Sequence, residues 1–431
     1  MKTLKHAIGL LVCMLIITGC ENQPTAITDK SDYNNYLELV ANEALQQAET
    51  DLQFWEKKLE KEPSQYPYVA KIAASHSRLF KITGKVSHLK AAEKNLLVVN
   101  ERTKYNHVGY LRALSRNYIS QHRFRDAKAL LEKAKSNGEN IEATYKMLFD
   151  VELELGDVVL AKTYLERIKN LSDFDYLIRL SKWSDHQGNL DAAIKYMEQA
   201  TTIAENSNIN SSKEWAYTNL ADFYGHAGNI EQSYNYYLKA LAINPNDAYA
   251  KKGIAWIVYS YEKNPNEATR ILNSITDKYQ VPDLYLLKAE IAEFMKNEQA
   301  KEAHINRYLE LVSNESYGDM YNVYNVELFL DTENKQDDAL LLAKKEIQNR
   351  PTAQSYDLLA WSYYKKGNVK KALSIMEEFV IGNTFEPLVM YHLASIYKAN
   401  GLTEKANKLK PELLASSFEL GPVLAQKISH I

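Results

Sequence analysis

From Tyr33 onward, apolar residues return every three or four positions, and no stretch alternates with the two-residue rhythm of a strand. Leu37, Leu39, Val40, Ala44, Leu52 and Trp55 set the rhythm first and predict one long helix from Tyr33 to Glu60, capped by Ser31 or Asp32 and stopped before Pro63. Glycine is scarce and falls between apolar-periodic stretches. Gly156, Gly188, Gly228, Gly367 and Gly401 each close a helix-turn-helix unit, and sequential units recur every 32 to 40 residues. A period of that size predicts an all-α solenoid of stacked units.

The clearest unit runs from Glu214 to Pro245. Tyr217, Leu220, Ala221 and Tyr224 share one helical face, Gly228-Asn229 makes the turn, Ser233, Tyr237 and Ala240 line the returning helix, and Pro245 stops it. Ala221 is small where two helices cross closely. Gly228 suits the left-handed end of a helix, and Asn229 can cap the next. These spacings resemble the tetratricopeptide repeat.

Five other copies carry the same resemblance. They are marked by Leu111, Leu114, Ser115, Tyr118, Ala127, Leu131 and Ala134; by Tyr145, Leu148, Gly156, Ala161 and Leu165; by Leu177, Leu180, Ser181, Gly188, Ala193, Met197 and Ala200; by Tyr356, Leu359, Ala360, Tyr363, Gly367, Ala372 and Met376; and by Met390, Leu393, Ala394, Tyr397, Gly401 and Ala406. Four stretches depart from the pattern. Residues 251–275 have Asn264-Pro265-Asn266 in place of the turn glycine, and 284–311 lack both glycine and a clear small residue. Residues 75–99 lengthen the turn after Gly84, and 323–351 put Glu327 at the small position. The resemblance implies a right-handed α-solenoid of about ten units over residues 33–431, with capping helices at both ends. Pro411 predicts a kink or break in the last pair, with Phe418 to Ile431 as a final helix over the terminal apolar face.

The N-terminus lies outside this pattern. Lys2 and Lys5, then the apolar run Ala7 to Ile17, then Ile17-Thr18-Gly19-Cys20, resemble the signal peptide (residues 1–19) and lipobox of bacterial lipoproteins, with Cys20 as the lipidated residue. Residues 20–32 are polar and read as a flexible tether. Acyl chains on Cys20 would hold the protein to a membrane without a spanning helix. Glu21, rather than aspartate, follows the cysteine and favours the outer membrane. Only Cys13 and Cys20 occur. The processed chain would therefore have no thiol for disulfides, nucleophilic catalysis or metal ligation. A net charge of −3 without a basic stripe argues against nucleic acid.

In the resembled family the free face of each first helix lines a concave groove. Carried over, that face comprises Arg112, Arg116, Lys182, Trp215, Asp222, His226, Trp256, Tyr259, Tyr321, Tyr324, Trp361, Tyr364 and Tyr391. Cations dominate its early units and aromatic rings, favoured interface anchors, its later ones. Many of these rings also suit ordinary packing between units.

Catalytic chemistry finds little footing. There is no phosphate loop and no HExxH pair. Asp222 and His226 share a helical face near Asp185-His186, but so loose a spacing fits wet polar residues better than a metal site. Gly253 and Gly318 carry no motif. No cofactor or metal is expected. The sequence thus points to a non-catalytic, lipid-anchored scaffold of the cell envelope, resembling the tetratricopeptide lipoproteins that help assemble outer-membrane proteins, pili or peptidoglycan enzymes. Its expected partners are envelope or cell-surface proteins or peptides. The alternative is a peptide- or glycan-binding module using the aromatic groove.

Overall fold

The computed structural model of the chain describes residues 26–38, 41–276, 278–429 and 431. The lipidation site expected at Cys20 lies outside them. A short helix, α1 (Lys30–Leu37), and a long one, α2 (Glu43–Lys61), lead into ten helix pairs. In order these are α3 (Tyr66–Thr83) and α4 (Val86–Arg102), α5 (Val108–Ser120) and α6 (Phe124–Asn137), α7 (Ile141–Glu154) and α8 (Val158–Arg167), and α9 (Phe174–His186) and α10 (Leu190–Ser207). Then come α11 (Asn210–His226) and α12 (Ile230–Ile243), α13 (Ala248–Trp256) and α14 (Pro265–Thr276), and α15 (Asp283–Phe294) and α16 (Glu298–Val312). The series ends with α17 (Asn322–Leu330) and α18 (Gln336–Asn349), α19 (Ala353–Lys365) and α20 (Val369–Ile375), α21 (Pro387–Ala399) and α22 (Thr403–Ala415), and a last helix α23 (Ser417–Ile428). Among the described residues there is no strand, and the architecture is an all-α repeat solenoid.

Turn chemistry explains why the units repeat. Asp157, Asn189, Asn229 and Asn368 follow the turn glycines and cap the second helix of their pairs through their side chains. The two middle units that lack a turn glycine still form complete pairs. Lys263 and Lys296 take the left-handed conformation instead (φ 56° and 57°), and Asn297 caps α16. Residues 251–311 are therefore diverged repeats. In the first of them the chain underwinds into a π-helical turn, Ile257–Tyr261, directly after α13. Gly253, which carried no motif, packs under the Tyr237 ring, where an added methyl would lie 2.2 Å from the ring.

Three expectations at the ends need correction. The helix read from Tyr33 to Glu60 is two helices, because Asn42 caps α2 afresh and residues 27–33 are pulled elsewhere. The Ile27 and Thr28 amides donate to Glu262 Oε1 at 2.8 and 2.7 Å, within the stretch read as tether. Tyr33 is buried against the sixth unit, its hydroxyl donating to Glu267 Oε1 at 2.9 Å. Pro411 does not break α22, which runs on to Ala415 and is held past the proline by Leu413 packing on Ala394 and Ile428. The interruption falls instead inside α23, at Gly421 (φ 78°, ψ 161°).

The solenoid also touches itself, turn upon turn. The Gln280 amide donates to the Thr83 carbonyl at 2.9 Å, and Arg125 Nε to the Gln348 carbonyl at 2.9 Å. Arg350 reaches Glu154 at 3.1 Å. Each contact joins units about five to six apart in the series, so the concave groove is walled into a bore.

Candidate functional site: the concave bore

First helices α11, α13, α15, α17, α19 and α21 form the C-terminal half of the bore. Two cavities of about 570 and 590 Å³ lie along it and share Glu293, Lys301, Glu327, Asp331, Leu388, Leu424 and Lys427 in their walls. A third, of about 680 Å³, lies in the N-terminal half between α3, α4 and α5 and is mostly apolar.

The residues expected in the groove divide into three sets. Tyr324 is 42% exposed and lines the first cavity, while Tyr364 and Tyr391 line the second. Trp215 is 39% exposed beside Tyr249 in a separate cavity near α2 and α3. Arg116 opens onto the N-terminal cavity, its pKa lowered by burial within the walls and by Arg112 and Arg179. All five line a cavity.

A second set ties units together. Arg112 donates to the carbonyls of Glu139 and Asn140 at 3.2 and 3.3 Å. Lys182 pairs with Glu154 at 3.1 Å. Asp222 accepts from the Tyr237 hydroxyl, and from that of Tyr249 at 2.7 Å. Burial raises the Asp222 pKa and these hydroxyls temper it. Among the described residues no group of three His, Cys, Asp or Glu is placed to hold a metal, so Asp222, His226, Asp185 and His186 do not converge.

A third set is packed away. Tyr259 and Tyr321 are core residues. Trp361 is 8% exposed and sandwiched, with Tyr364 stacked at 4.6 Å and His392 at 4.0 Å. Trp256 is covered by α23, its Nε1 donating to the Phe418 carbonyl at 3.0 Å.

Sequence reasoning missed the acids of the bore wall. Glu290 accepts from the Tyr259 hydroxyl at 3.1 Å, yet burial pushes its pKa up to about 7, with Glu293 adding to the rise. Burial also raises Glu327, which faces His392 and Asp357. Asp357 and His392 form a buried pair at 2.8 Å, and Asp357 Oδ1 has no hydrogen-bond partner among the described residues. A signal existed for these. Asp357 and His392 are 35 residues apart, Asp331 and Lys365 34, and Tyr259 and Glu290 31, so each pair joins neighbouring units at nearly one period.

With this geometry in hand the chain can be set beside known proteins. Residues 174–207 and 216–247, which span the α9–α10 and α11–α12 pairs, match the tetratricopeptide repeat. Two of its helix pairs are thus similar to tetratricopeptide repeats. No curated protein matches it. Among solved structures, tetratricopeptide stacking of this kind is similar to that of PilF from Pseudomonas aeruginosa, at 15% identity over 51% of this chain and 98% of that one, TM-score 0.37. It is similar also to YrrB, a tetratricopeptide protein with an unusual peptide-binding site, at 21% identity over 46% of this chain and 95% of that one, TM-score 0.28. Human IFIT1 aligns at 13% identity over 77% of this chain and 76% of that one, TM-score 0.45.

Proposed function

We propose that this tetratricopeptide protein is a non-catalytic scaffold that holds segments of other proteins in its concave bore, anchored to a cell-envelope membrane by lipid on Cys20. The observation that carries the docking half is the C-terminal bore itself: the exposed ring of Tyr324 and the half-buried rings of Tyr364 and Tyr391 stand beside acidic groups along two adjoining cavities. Rings bury much area at little entropic cost, and placed charges fix register. The tandem units supply the concave wall, and the lipobox-like Ile17-Thr18-Gly19-Cys20 supports the anchor. Outer-membrane attachment and envelope partners follow from Glu21 and from the resemblance to envelope lipoproteins. A glycan-binding bore is the less favoured reading, because Trp256 and Trp361, the broadest stacking platforms, are already covered or sandwiched.

Two experiments test the halves separately. Cys20→Ala should move the full chain from the membrane fraction to the soluble fraction; unchanged partitioning would sink the anchor. For docking, a photo-crosslinking residue at Tyr324 or Tyr391 should join the chain to a discrete protein in envelope extract, and the same probe at exposed Val159 should not. Crosslinks equal at all three positions would count against the bore.

A further inference from the structure

The last helix lies in the bore as a guest would. α23 touches α11, the π-helical turn after α13, α15 and α21, all on the concave side, as well as the α22 that precedes it. The Phe418 carbonyl accepts from Trp256 Nε1 at 3.0 Å and from Ser260 Oγ at 2.6 Å. Trp256 immediately precedes the π-helical turn and Ser260 lies within it, an underwound distortion that recurs at functional sites. The Phe418 ring lies against Gly225, where an added methyl would sit 3.0 Å from the ring edge. At Gly421 the backbone takes a conformation reserved for glycine, and a methyl there would lie 2.7 Å from Glu290 Oε1 and 2.9 Å from the Trp256 ring. Recognition of a backbone carbonyl, together with a ring seated on a glycine, depends little on the rest of the sequence.

In one direction the fit is incomplete. Leu420, just before the break at Gly421, and Val423, Leu424 and Lys427, at helical spacing after it, line the cavity of about 570 Å³, whose far wall includes Leu286 and Leu328. The three apolar residues are only partly buried. An apolar face across an open gap forgoes the dispersion that close packing would supply. Glu290 and Glu327 line the same cavity, and neither forms an ion pair among the described residues. Lys427 reaches only Glu293, at 3.9 Å.

We propose that residues 418–428 are a displaceable occupant of the bore in cis. The surface beneath them receives in their place an amphipathic helix of a partner protein: a ring at its leading end, an aliphatic row, and one or two cations at its trailing end. This rests on the reading of the bore as a protein-docking surface. A partner that fills the gap and brings a cation to Glu290 or Glu327 gains contacts α23 does not make, so it outcompetes a tethered but poorly fitted segment. The bore is closed until such a helix arrives.

The test uses the full chain in detergent and a fluorescent synthetic peptide of residues 416–431, followed by anisotropy. A Phe418→Ala chain is expected to bind the peptide at least tenfold more tightly than wild type, because its own segment competes less; a peptide carrying Phe418→Ala should bind neither chain. Equal affinity for both chains, or no binding to either, overturns the proposal. Hydrogen exchange on the wild-type chain needs no variant. Amides of 418–428 are expected to exchange at least tenfold faster than those of 388–399 in α21, and equal protection overturns the proposal. Peptide displacement of α23 with no specific crosslink at Tyr324 would uphold the cis occupant while removing the protein-docking reading. Crosslinked partners captured equally by wild type and Phe418→Ala would do the reverse.

Discussion

Trp256 and Phe418 stand 162 residues apart in the chain, yet the indole Nε1 of one donates to the carbonyl of the other at 3.0 Å. The bond joins the sixth helix pair to the terminal helix across the bore. Trp256→Phe keeps a ring over Gly421 but removes the donor, leaving Ser260 alone on that carbonyl. The expected loss is about 1 kcal/mol, the usual net worth of such a bond. Hydrogen exchange in 418–428 should accelerate. Trp361→Phe, at a ring stacked between Tyr364 and His392, should leave that segment's exchange unchanged.

The self-contact of the solenoid can be read from two glycines of the same type. Gly156 and Gly228 both hold positive φ (77° and 75°), so alanine at either costs about 1–2 kcal/mol of backbone strain. At Gly228 nothing lies within 4 Å of the added methyl, whereas at Gly156 it meets the Pro351 carbonyl oxygen at 2.7 Å. Gly156→Ala should therefore lower the urea midpoint clearly further than Gly228→Ala. Equal losses would mean that the turns do not touch in solution.

The Asp357–His392 pair sits at the interface of the last two units, with both side chains 4% exposed. Removing the imidazole leaves a buried carboxylate whose Oδ1 is already without a partner. His392→Ala should cost about 3–5 kcal/mol, as breaking one side of a buried pair does. Asp357→Asn, which removes the charge and keeps a group able to bond to the ring, should cost less. Chemical denaturation of both variants measures the difference.

Glu290 makes stability depend on pH. Its pKa rises from an ordinary 4.5 to about 7 because burial disfavours the charged form. A raised acid favours the folded state while protonated, so that contribution is whole below pH 4.5 and lost as pH climbs through 7. Glu290→Gln should be close to neutral at pH 5 and stabilising at pH 8, by about 3 kcal/mol at most. Urea midpoints at the two pH values check this, and a variant equally stable relative to wild type at both would refute it.

How far the sequence carried the reading differs between fold and site. Turn glycines followed by Asn or Asp are local signals, because backbone conformation and cap sit within two residues, and they located four of the ten helix pairs. The diverged units hid theirs, since Lys263 and Lys296 adopt a backbone conformation that lysine seldom takes. In the bore, the spacing put Tyr324, Tyr364 and Tyr391 on the free face, and each lines a cavity, but it had no means of showing that Trp361 would be sandwiched. Burial there depends on His392, one period away, and on how neighbouring helices rotate. The docking of residues 27–33 on Glu262 and Glu267, and of Phe418 on Trp256 and Ser260, joins segments more than 150 residues apart. No local pattern encodes such a pairing.

The turn-on-turn bonds from Thr83 to Gln280 and from Glu154 to Arg350 carry a mechanical consequence. An open array of repeats behaves as a soft spring, stretching under load and fraying one unit at a time from its ends. Bonding the early coils to the later ones locks that spring. Pulled by its termini, such a chain resists until the cross-coil bonds yield and then gives way in a large step rather than unit by unit. That stiffness would suit the scaffold proposed above, anchored at one end and loaded by what it holds.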